Sequence, residues 1–589
     1  MRDWLSHRVR ASPNATALIL ASTGESWTFA ELDSMVEETA GRLAALGVES
    51  GDHLGVVTET RVASVRLLHA AMRLGVTLVP MGDSLTAGEL RSQAETADVT
   101  AVVCGSATEG RAVEAAGDAP VVSVDPPATD EATALEDASP ESVEPASREL
   151  DDPQLLLFTS GTTGDPKAVT LTIRNLLSSA VASAFRLGFD PADRWLVALS
   201  LHHMGGIAPV LRMPLYGMTV VLRPEFRAGP TADDIERHEV TAVSLVPTML
   251  RRMLEKRGTL SESLRVVLLG GAPASSELIA RCRNYSVPVY PTYGMTETAS
   301  QIATARPKEA FRNVGTVGRP LYWTDLTVVG ESGTPVERGE TGELVVSGPT
   351  VTPGYYGDSE ATAEAFCEYG LKTGDAGYLD AEGRLYVLNR VDDRIITGGE
   401  NVEPGEVVDV LRSHPEVRDA AVVGVPDPEW GERVGALVVP GSEEVTRDGV
   451  EEYARERLAG FKLPRIVAFA DELPRTVSGT VKRDAVRERL EAVAEGEDEE
   501  AEDEAVDGEA EDEAVDGEAD DEKAEGGDEG VGGDESDADA NDESDEPAEA
   551  GEDEDELAEA DADTDAEADA ESSDGDDSAD GDATGESPE

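Results

Sequence analysis

The sequence predicts an α/β protein: a large N-terminal domain of layered α/β subdomains plus a small β-barrel module, hinged to a small α+β C-terminal domain, with a disordered acidic tail. Three observations carry this. Short apolar β-type runs alternate with amphipathic stretches through the first half, the signature of parallel strands covered by helices. From about Gly315 the texture changes to short strands and turns, as in Leu326–Val329 and Gly342–Val346, which predicts a small sheet or barrel. From about Val493 the chain is acidic low-complexity sequence with too little apolar surface to offset chain entropy. At 589 residues the chain is too long for one core. The expected divisions are 1–389, 390–492 and 493–589.

In order, Thr28 is an N-cap with Glu31 completing a capping box, so an amphipathic helix starts at this point. Leu54–Thr58 reads as a strand, Ser64–Leu74 as a helix and Val76–Pro80 as a strand. Ala107–Leu150, rich in Ala, Asp, Glu and Pro, reads as a variable surface region. Strand signals return at Leu155–Phe158, Trp195–Leu201, Thr219–Leu222, Val240–Val246, Leu264–Gly270 and Val287–Tyr290. Asn389–Asp393 reads as a linker, and Val402–Lys482 as a compact α+β unit.

Charge narrows the function classes. The formal net charge is −74. Residues 495–589 hold 49 acidic residues against one lysine, which leaves the other 494 residues at −26. The chain has 41 Arg but only 7 Lys. An acidic, lysine-poor surface points to a salt-adapted cytoplasm, where salt screens the self-repulsion that keeps such a protein soluble. A nucleic-acid partner is disfavoured, since a basic face is its footprint. Three scattered cysteines, Cys104, Cys282 and Cys367, give no disulfide framework or metal cluster and fit a reducing cytosol. The N-terminus shows no signal-peptide core, and no run of about 20 apolar residues marks a membrane span. Oligomeric state is not legible.

The chemistry-bearing stretch is Leu155–Thr170, LLLFTSGTTGDPKAVT. A buried strand enters a glycine loop whose backbone N–H groups form an anion nest. Thr159, Ser160, Thr162 and Thr163 add hydroxyl donors, Gly161 and Gly164 allow close approach, and Lys167 adds a mobile charge. It is not a Walker A loop, because Asp165 and Pro166 separate the last glycine from the lysine. His202 and His203 follow a strand beside Gly205 and Gly206, a position suited to gating a site. After Val287–Tyr290 come Thr292, Tyr293, Gly294, Met295, Thr296 and Glu297. Here Glu297 can hold Mg²⁺ through oxygen and Thr296 can touch phosphate. Asp375, in a turn of Thr-Gly-Asp, suits the two hydroxyls of a ribose.

Taken in this order, TSGTTG, YGMTE, TGD and GGEN resemble the adenylate-forming superfamily of acyl- and aryl-CoA synthetases, luciferases and peptide-synthetase adenylation domains, from about Trp27 to Arg487. The resemblance implies an enzyme using ATP, Mg²⁺ and coenzyme A on a small-molecule carboxylic acid. It implies that Thr159 to Gly164 and Lys167 hold pyrophosphate. It places Gly270, Gly271 and Ala272, with Thr292 to Thr296, around the adenine and α-phosphate. Glu297 would take Mg²⁺, Asp375 and Arg390 the ribose, and His203 the acyl group. Asp392 matches the hinge, and Gly398 and Gly399 match the path of the CoA arm. One departure matters: the family's last motif ends in Gly-Lys, but Thr480 follows Gly479. Lys482, two residues on, would share a strand face with position 480 and is the candidate replacement.

The segment from Ser200 to Leu222 with VSLVPTML is most similar to o-succinylbenzoate–CoA ligases of menaquinone biosynthesis. That acid has two carboxylates, so its pocket needs a second cation. Arg212, nine residues after His203 on an expected helix, can bind one bidentately. Other aryl- or fatty-acid–CoA ligases and a catalytically impaired nucleotide-binding homologue are the alternatives.

Overall fold

The computed structural model describes residues 2–159, 167–398, 400–428, 430–442, 445–475 and 481–494. Two sheets with helices packed on them form the body. The first has nine strands in the spatial order Arg319–Pro320, Ala303–Thr304, Val289–Tyr293, Val266–Leu269, Ala242–Leu245, Arg194–Val197, Thr219–Leu222, Thr16–Leu20 and Ser26–Thr28. The strands from Val289–Tyr293 to Thr16–Leu20 are parallel, and antiparallel pairs extend both ends. The second has seven: Ala132–Ala134, Val121–Ser123, Ala101–Cys104, His53–Val57, Thr77–Pro80, Pro153–Thr159 and Lys167–Thr172. Runs such as Val266–Leu269 and Thr219–Leu222 are buried along their whole length, as parallel strands covered on both faces must be.

One apolar core joins the two sheets. It includes Leu18 and Val220 from the first and Leu54, Leu78 and Leu155 from the second. Helix Val62–Leu74 is buried nearly all round. Its Arg73 lies among Asp3, Asp33 and Ser6 at the N-terminal edge of this core. Helix Phe29–Ala45 begins as expected: the Thr28 hydroxyl accepts from the Glu31 backbone N–H, and the Glu31 carboxylate accepts from Thr28 N at 2.8 Å.

The expected barrel module takes the form of a five-stranded antiparallel sheet of Asp325–Val329, Gly342–Ser347, Phe366–Cys367, Gly370–Leu379 and Leu385–Arg390. A second five-stranded sheet, Ile395–Thr397, Glu400–Val402, Val417–Asp427, Gly431–Pro440 and Ile466–Phe469, carries helices Pro404–Arg412 and Arg447–Arg455. It has its own core around Val407, Val422, Val434 and Val450.

Four local expectations are corrected. Ala107–Leu150 is not merely surface: helix Glu109–Ala115 and strands Val121–Ser123 and Ala132–Ala134 lie in it, and the strands extend the seven-stranded sheet. Three-residue strands are too short to stand out against an Ala-, Asp- and Pro-rich average. Asn389 and Arg390 end a strand, with the short turn Val391–Asp393 following, so the linker is narrower than expected. Asp375 also lies within a strand rather than in a tight turn, paired with Arg390. Lys482 is not on a strand. Val481 makes a single antiparallel bridge to Arg475, and residues 483–494 are helical, with Lys482 exposed at their head. The acidic tail lies outside the described residues.

Candidate active site

The site lies where the C-terminal ends of the first sheet's strands meet the hairpin of the second sheet and the edge of the third. Strands Pro153–Thr159 and Lys167–Thr172 pair antiparallel with Thr159 opposite Lys167, so the TSGTTG loop is closed at its base. Ser160, Gly161, Thr162, Thr163 and Gly164 lie outside the described residues, as do Gly399 and Thr480. Gly354–Tyr356 runs against the hairpin: Thr170 N donates to Gly354 O at 3.1 Å, and Tyr356 N donates to Ala168 O at 2.8 Å. This places the Tyr355 ring beneath the Lys167 ammonium, 5.1 Å from its centroid. The Tyr355 phenol in turn donates to Glu297 Oε1 at 3.1 Å.

Glu297 is buried in the short turn Thr296–Thr298, and burial raises its carboxyl above the ordinary range. Its carbonyl accepts from Thr352 N at 2.7 Å, which ties the turn to the same segment as Tyr355. Just beyond it, Ala299 and Ser300 take positive φ of 52° and 121°. Non-glycine residues in such backbone regions store strain and cluster at functional sites. Gly294 is required here, since a Cβ would stand 1.7 Å from Ser300 O.

The nucleotide side is equally connected. Tyr293 Oη donates to Asp375 Oδ2 at 2.6 Å, and Arg390 Nη1 stands 3.4 Å from Asp375 Oδ1. Burial raises the Asp375 carboxyl, while the Arg390 guanidinium pulls it the other way. Gly270 packs against Thr292, whose hydroxyl is engaged with Ala303 O and Thr304 Oγ1. The Thr292 side chain is therefore a structural tie rather than a free phosphate donor. Gly271 takes positive φ, with Ala272 following it in the loop after Val266–Leu269.

On the acyl side, His203 caps helix Met204–Tyr216 by its backbone, and its ring lies 4.3 Å from that of His202. Lost hydration pushes both imidazoles down to about 4, with His202 adding to the effect on His203. Both are neutral near pH 7. His202 also lines a narrow cavity with Thr58, Leu68, Leu78, Met81 and Ile207. Gly206 lets the helix start against the strand end, because a Cβ there would sit 2.3 Å from Ser200 O.

Arg212 lies on the same helix and is 4% exposed. Its guanidinium donates to Ser183 Oγ at 3.1 Å and Ser179 Oγ at 3.0 Å, and Ser179 Oγ donates to Ala299 O at 2.6 Å. Among the described residues three arginines are buried. Arg73 and Arg148 pair with aspartates, whereas Arg212 meets only neutral hydroxyls. Asp392, the expected hinge residue, is exposed in a short turn. Its neighbour Asp393 pairs with Arg483 at 2.5 Å. Gly398 takes positive φ against the Trp430 ring.

Sequence reasoning missed Tyr355. It sits in Gly-Tyr-Tyr-Gly, 58 residues beyond Glu297, and nothing local distinguishes it from an ordinary turn tyrosine. No group of three or more metal-ligating side chains occurs among the described residues. Glu297 alone is a fitting holder for Mg²⁺, which is typically bound by one or two carboxylates plus substrate phosphates.

The comparisons with known proteins fit this geometry. A family model described as AMP-binding enzyme matches residues 5–356, and one described as AMP-binding enzyme C-terminal domain matches residues 406–480. The chain is 39% identical over 486 residues to a 2-succinylbenzoate–CoA ligase of Bacillus licheniformis, covering 82% of this chain and 98% of the relative. It is similar to o-succinylbenzoate CoA synthetase of Bacillus subtilis solved with the acyl-adenylate intermediate OSB-AMP. That match has TM-score 0.77 and 37% identity, and covers 83% of this chain and 98% of the other. The same enzyme with ATP and magnesium ion matches at TM-score 0.76 and 38% identity, covering 82% and 99%. ATP-bound MatB of Rhodopseudomonas palustris matches at TM-score 0.77 and 30% identity, covering 83% and 99%.

Proposed function

The chain belongs to the AMP-binding enzyme family, and we propose that it is an ATP-dependent acid–CoA ligase converting o-succinylbenzoate to o-succinylbenzoyl-CoA for menaquinone biosynthesis. One observation carries the class of reaction. Tyr355 ties the hairpin bearing Thr159 and Lys167 to the buried Glu297, and the Tyr293–Asp375–Arg390 cluster lies near enough for the Arg390 and Asp375 charges to act on the Glu297 carboxyl. The curated relatives of matching length name the acid. Arg212 supports it, since a buried cation with no anionic partner among the described residues suits a substrate with a second carboxylate.

In the first step the substrate carboxylate attacks the α-phosphorus of ATP and pyrophosphate leaves, giving a mixed acyl–AMP anhydride. Lys167 and the Thr159–Gly164 loop steady the departing charge, Asp375 and Arg390 hold the ribose, and Tyr293 fixes Asp375. Glu297, together with the phosphates, would hold Mg²⁺, which would supply charge neutralisation to the leaving pyrophosphate. The neutral imidazoles of His202 and His203 shape the wall beside the acyl group without adding charge. In the second step the CoA thiol attacks the acyl carbonyl, its proton passes to solvent, and AMP leaves. The small domain turns about Asp392 between the steps, bringing Gly398 and Gly399 to line the CoA arm. Catalysis here is positioning and charge neutralisation.

Thr480 leaves Lys167 as the family-matched lysine at the phosphates, with Lys482 as the candidate second cation. We place the enzyme in a salt-adapted cytoplasm on its acidic, lysine-poor composition. A pyrophosphate-release assay over a panel of acids tests the proposal. Release is expected with o-succinylbenzoate above aryl monocarboxylates and fatty acids, and no release with any acid would leave only a nucleotide-binding protein.

A further inference from the structure

Tyr355 touches two separate parts of the site and belongs to neither. Its ring lies under the Lys167 ammonium, and its phenol donates to Glu297 Oε1 at 3.1 Å. Its backbone is fixed against the hairpin by the Val169–Tyr355 bridge and by hydrogen bonds from Thr170 N and Tyr356 N on either side. Tyr355 N is held by Thr362 Oγ1 at 3.0 Å, so the residue is anchored from a helix as well. The backbone that carries the ring is therefore anchored from both the hairpin and a helix.

We propose that Tyr355 is a positioning residue that sets the Lys167 ammonium and the Glu297 carboxylate in fixed relation across the triphosphate. Two chemistries meet in one side chain. The aromatic face attracts the ammonium and holds a flexible four-carbon stem over the hairpin mouth. The phenol O–H occupies one lone pair of the carboxylate and orients the remaining ones toward the cation that accompanies the nucleotide. Groups that hydrogen-bond a metal's carboxylate ligand in this way commonly govern metal affinity. Tyr355 needs no contact with substrate for this role. The inference rests on the ligase reading in that Lys167 and Glu297 are taken to flank ATP and Mg²⁺.

Two variants separate the two functions of the ring. Tyr355→Phe keeps the aromatic face and removes the donor, and Tyr355→Leu removes both. Mn²⁺ retention is read by electron paramagnetic resonance on the full chain with α,β-methylene-ATP, which cannot lose pyrophosphate. Tyr355→Phe is expected to weaken Mn²⁺ retention about 10–100-fold, and its deficit in acyl-adenylate formation should close as Mg²⁺ is raised. Tyr355→Leu is expected to add a further loss of about 2–5-fold in nucleotide affinity, the size of a cation–π contact. Unchanged Mn²⁺ retention in Tyr355→Phe overturns the proposal, as does a deficit that excess Mg²⁺ leaves untouched. In the Glu297→Gln background Tyr355→Phe should add nothing to the Mn²⁺ loss, and an additive loss would assign Tyr355 a merely structural role. A parent chain that retains Mn²⁺ and nucleotide but activates no acid would refute the ligase reading and leave the Tyr355 test intact.

Discussion

Arg212 is the residue we propose for substrate choice. An arginine buried between Ser179 and Ser183 keeps a charge that two neutral hydroxyls only partly compensate. Arg212→Gln should raise KM for o-succinylbenzoate about 10–100-fold, the worth of a hydrogen bond to a charged group, while leaving a monocarboxylic acid little changed. Equal loss for both acids, seen by steady-state kinetics, would make Arg212 structural. For the phosphates, Lys167→Ala should lower acyl-AMP formation about 10²-fold, in the range of a lost oxyanion donor. Lys482 stands exposed at a helix head, so its part in adenylation depends on the small domain bringing it in. An unchanged adenylation rate in Lys482→Ala would remove it from the site. His69 illustrates a different physics. It is 1% exposed, neither ring nitrogen has a hydrogen-bond partner among the described residues, and burial pushes it down to about 4. The unfolded chain takes up this proton near pH 6.5 and the folded one only near 4, so stability falls as pH drops through that window. The loss is about 3 kcal/mol. Asp3, whose carboxyl Arg73 and Ser6 hold below the usual range, acts below that window. His69→Leu should make the pH dependence of chemical denaturation shallower by about one proton between pH 6.5 and 4, and an unchanged slope would contradict this account.

At the scale of elements, the sequence made the long strands and the helix starts legible because each has a local cause. The Thr28–Glu31 capping box, the Leu155–Phe158 run and the Thr219–Leu222 run all carry their signal within a few residues. The short strands Val121–Ser123 and Ala132–Ala134 carry none, and only pairing with Ala101–Cys104 and one another defines them. The same divide runs through the site. Glu297, Asp375 and Lys167 lie in ordered motifs, so their grouping could be expected before any contact was known. Tyr355 reaches the site only through the bridge to Val169, a pairing 186 positions away in the chain. The strand position of Asp375 was likewise hidden, because Thr-Gly-Asp reads locally as a turn and pairing with Gly342–Ser347 and Leu385–Arg390 makes it part of a strand. Lys482 shows the converse: alternation suggested a strand, but the bridge ends at Val481 and a helix follows.

For the whole molecule, the two-step reaction asks one active site to serve two chemistries, and the proposed rotation of the small domain about a short turn answers that demand. Val391–Asp393 is that turn, and the Asp393–Arg483 pair holds it to the small domain beyond. Asp392→Pro fixes φ at the turn, so it should spare acyl-AMP formation and depress thioester formation about 10-fold or more; equal loss of both half-reactions in single-turnover assays would count against rotation about this residue. The acidic body, at −26 without the tail, is the ground for the proposed salt adaptation, because screening by salt relieves its self-repulsion. The most direct measurement is therefore made in concentrated KCl. The full chain is incubated with o-succinylbenzoate, ATP, Mg²⁺ and CoA, and the products are identified by mass spectrometry. AMP, pyrophosphate and o-succinylbenzoyl-CoA in equal amounts are expected, with acyl-AMP accumulating when CoA is left out. ADP and phosphate in place of AMP, or no turnover of this acid while another is activated, would contradict the assignment.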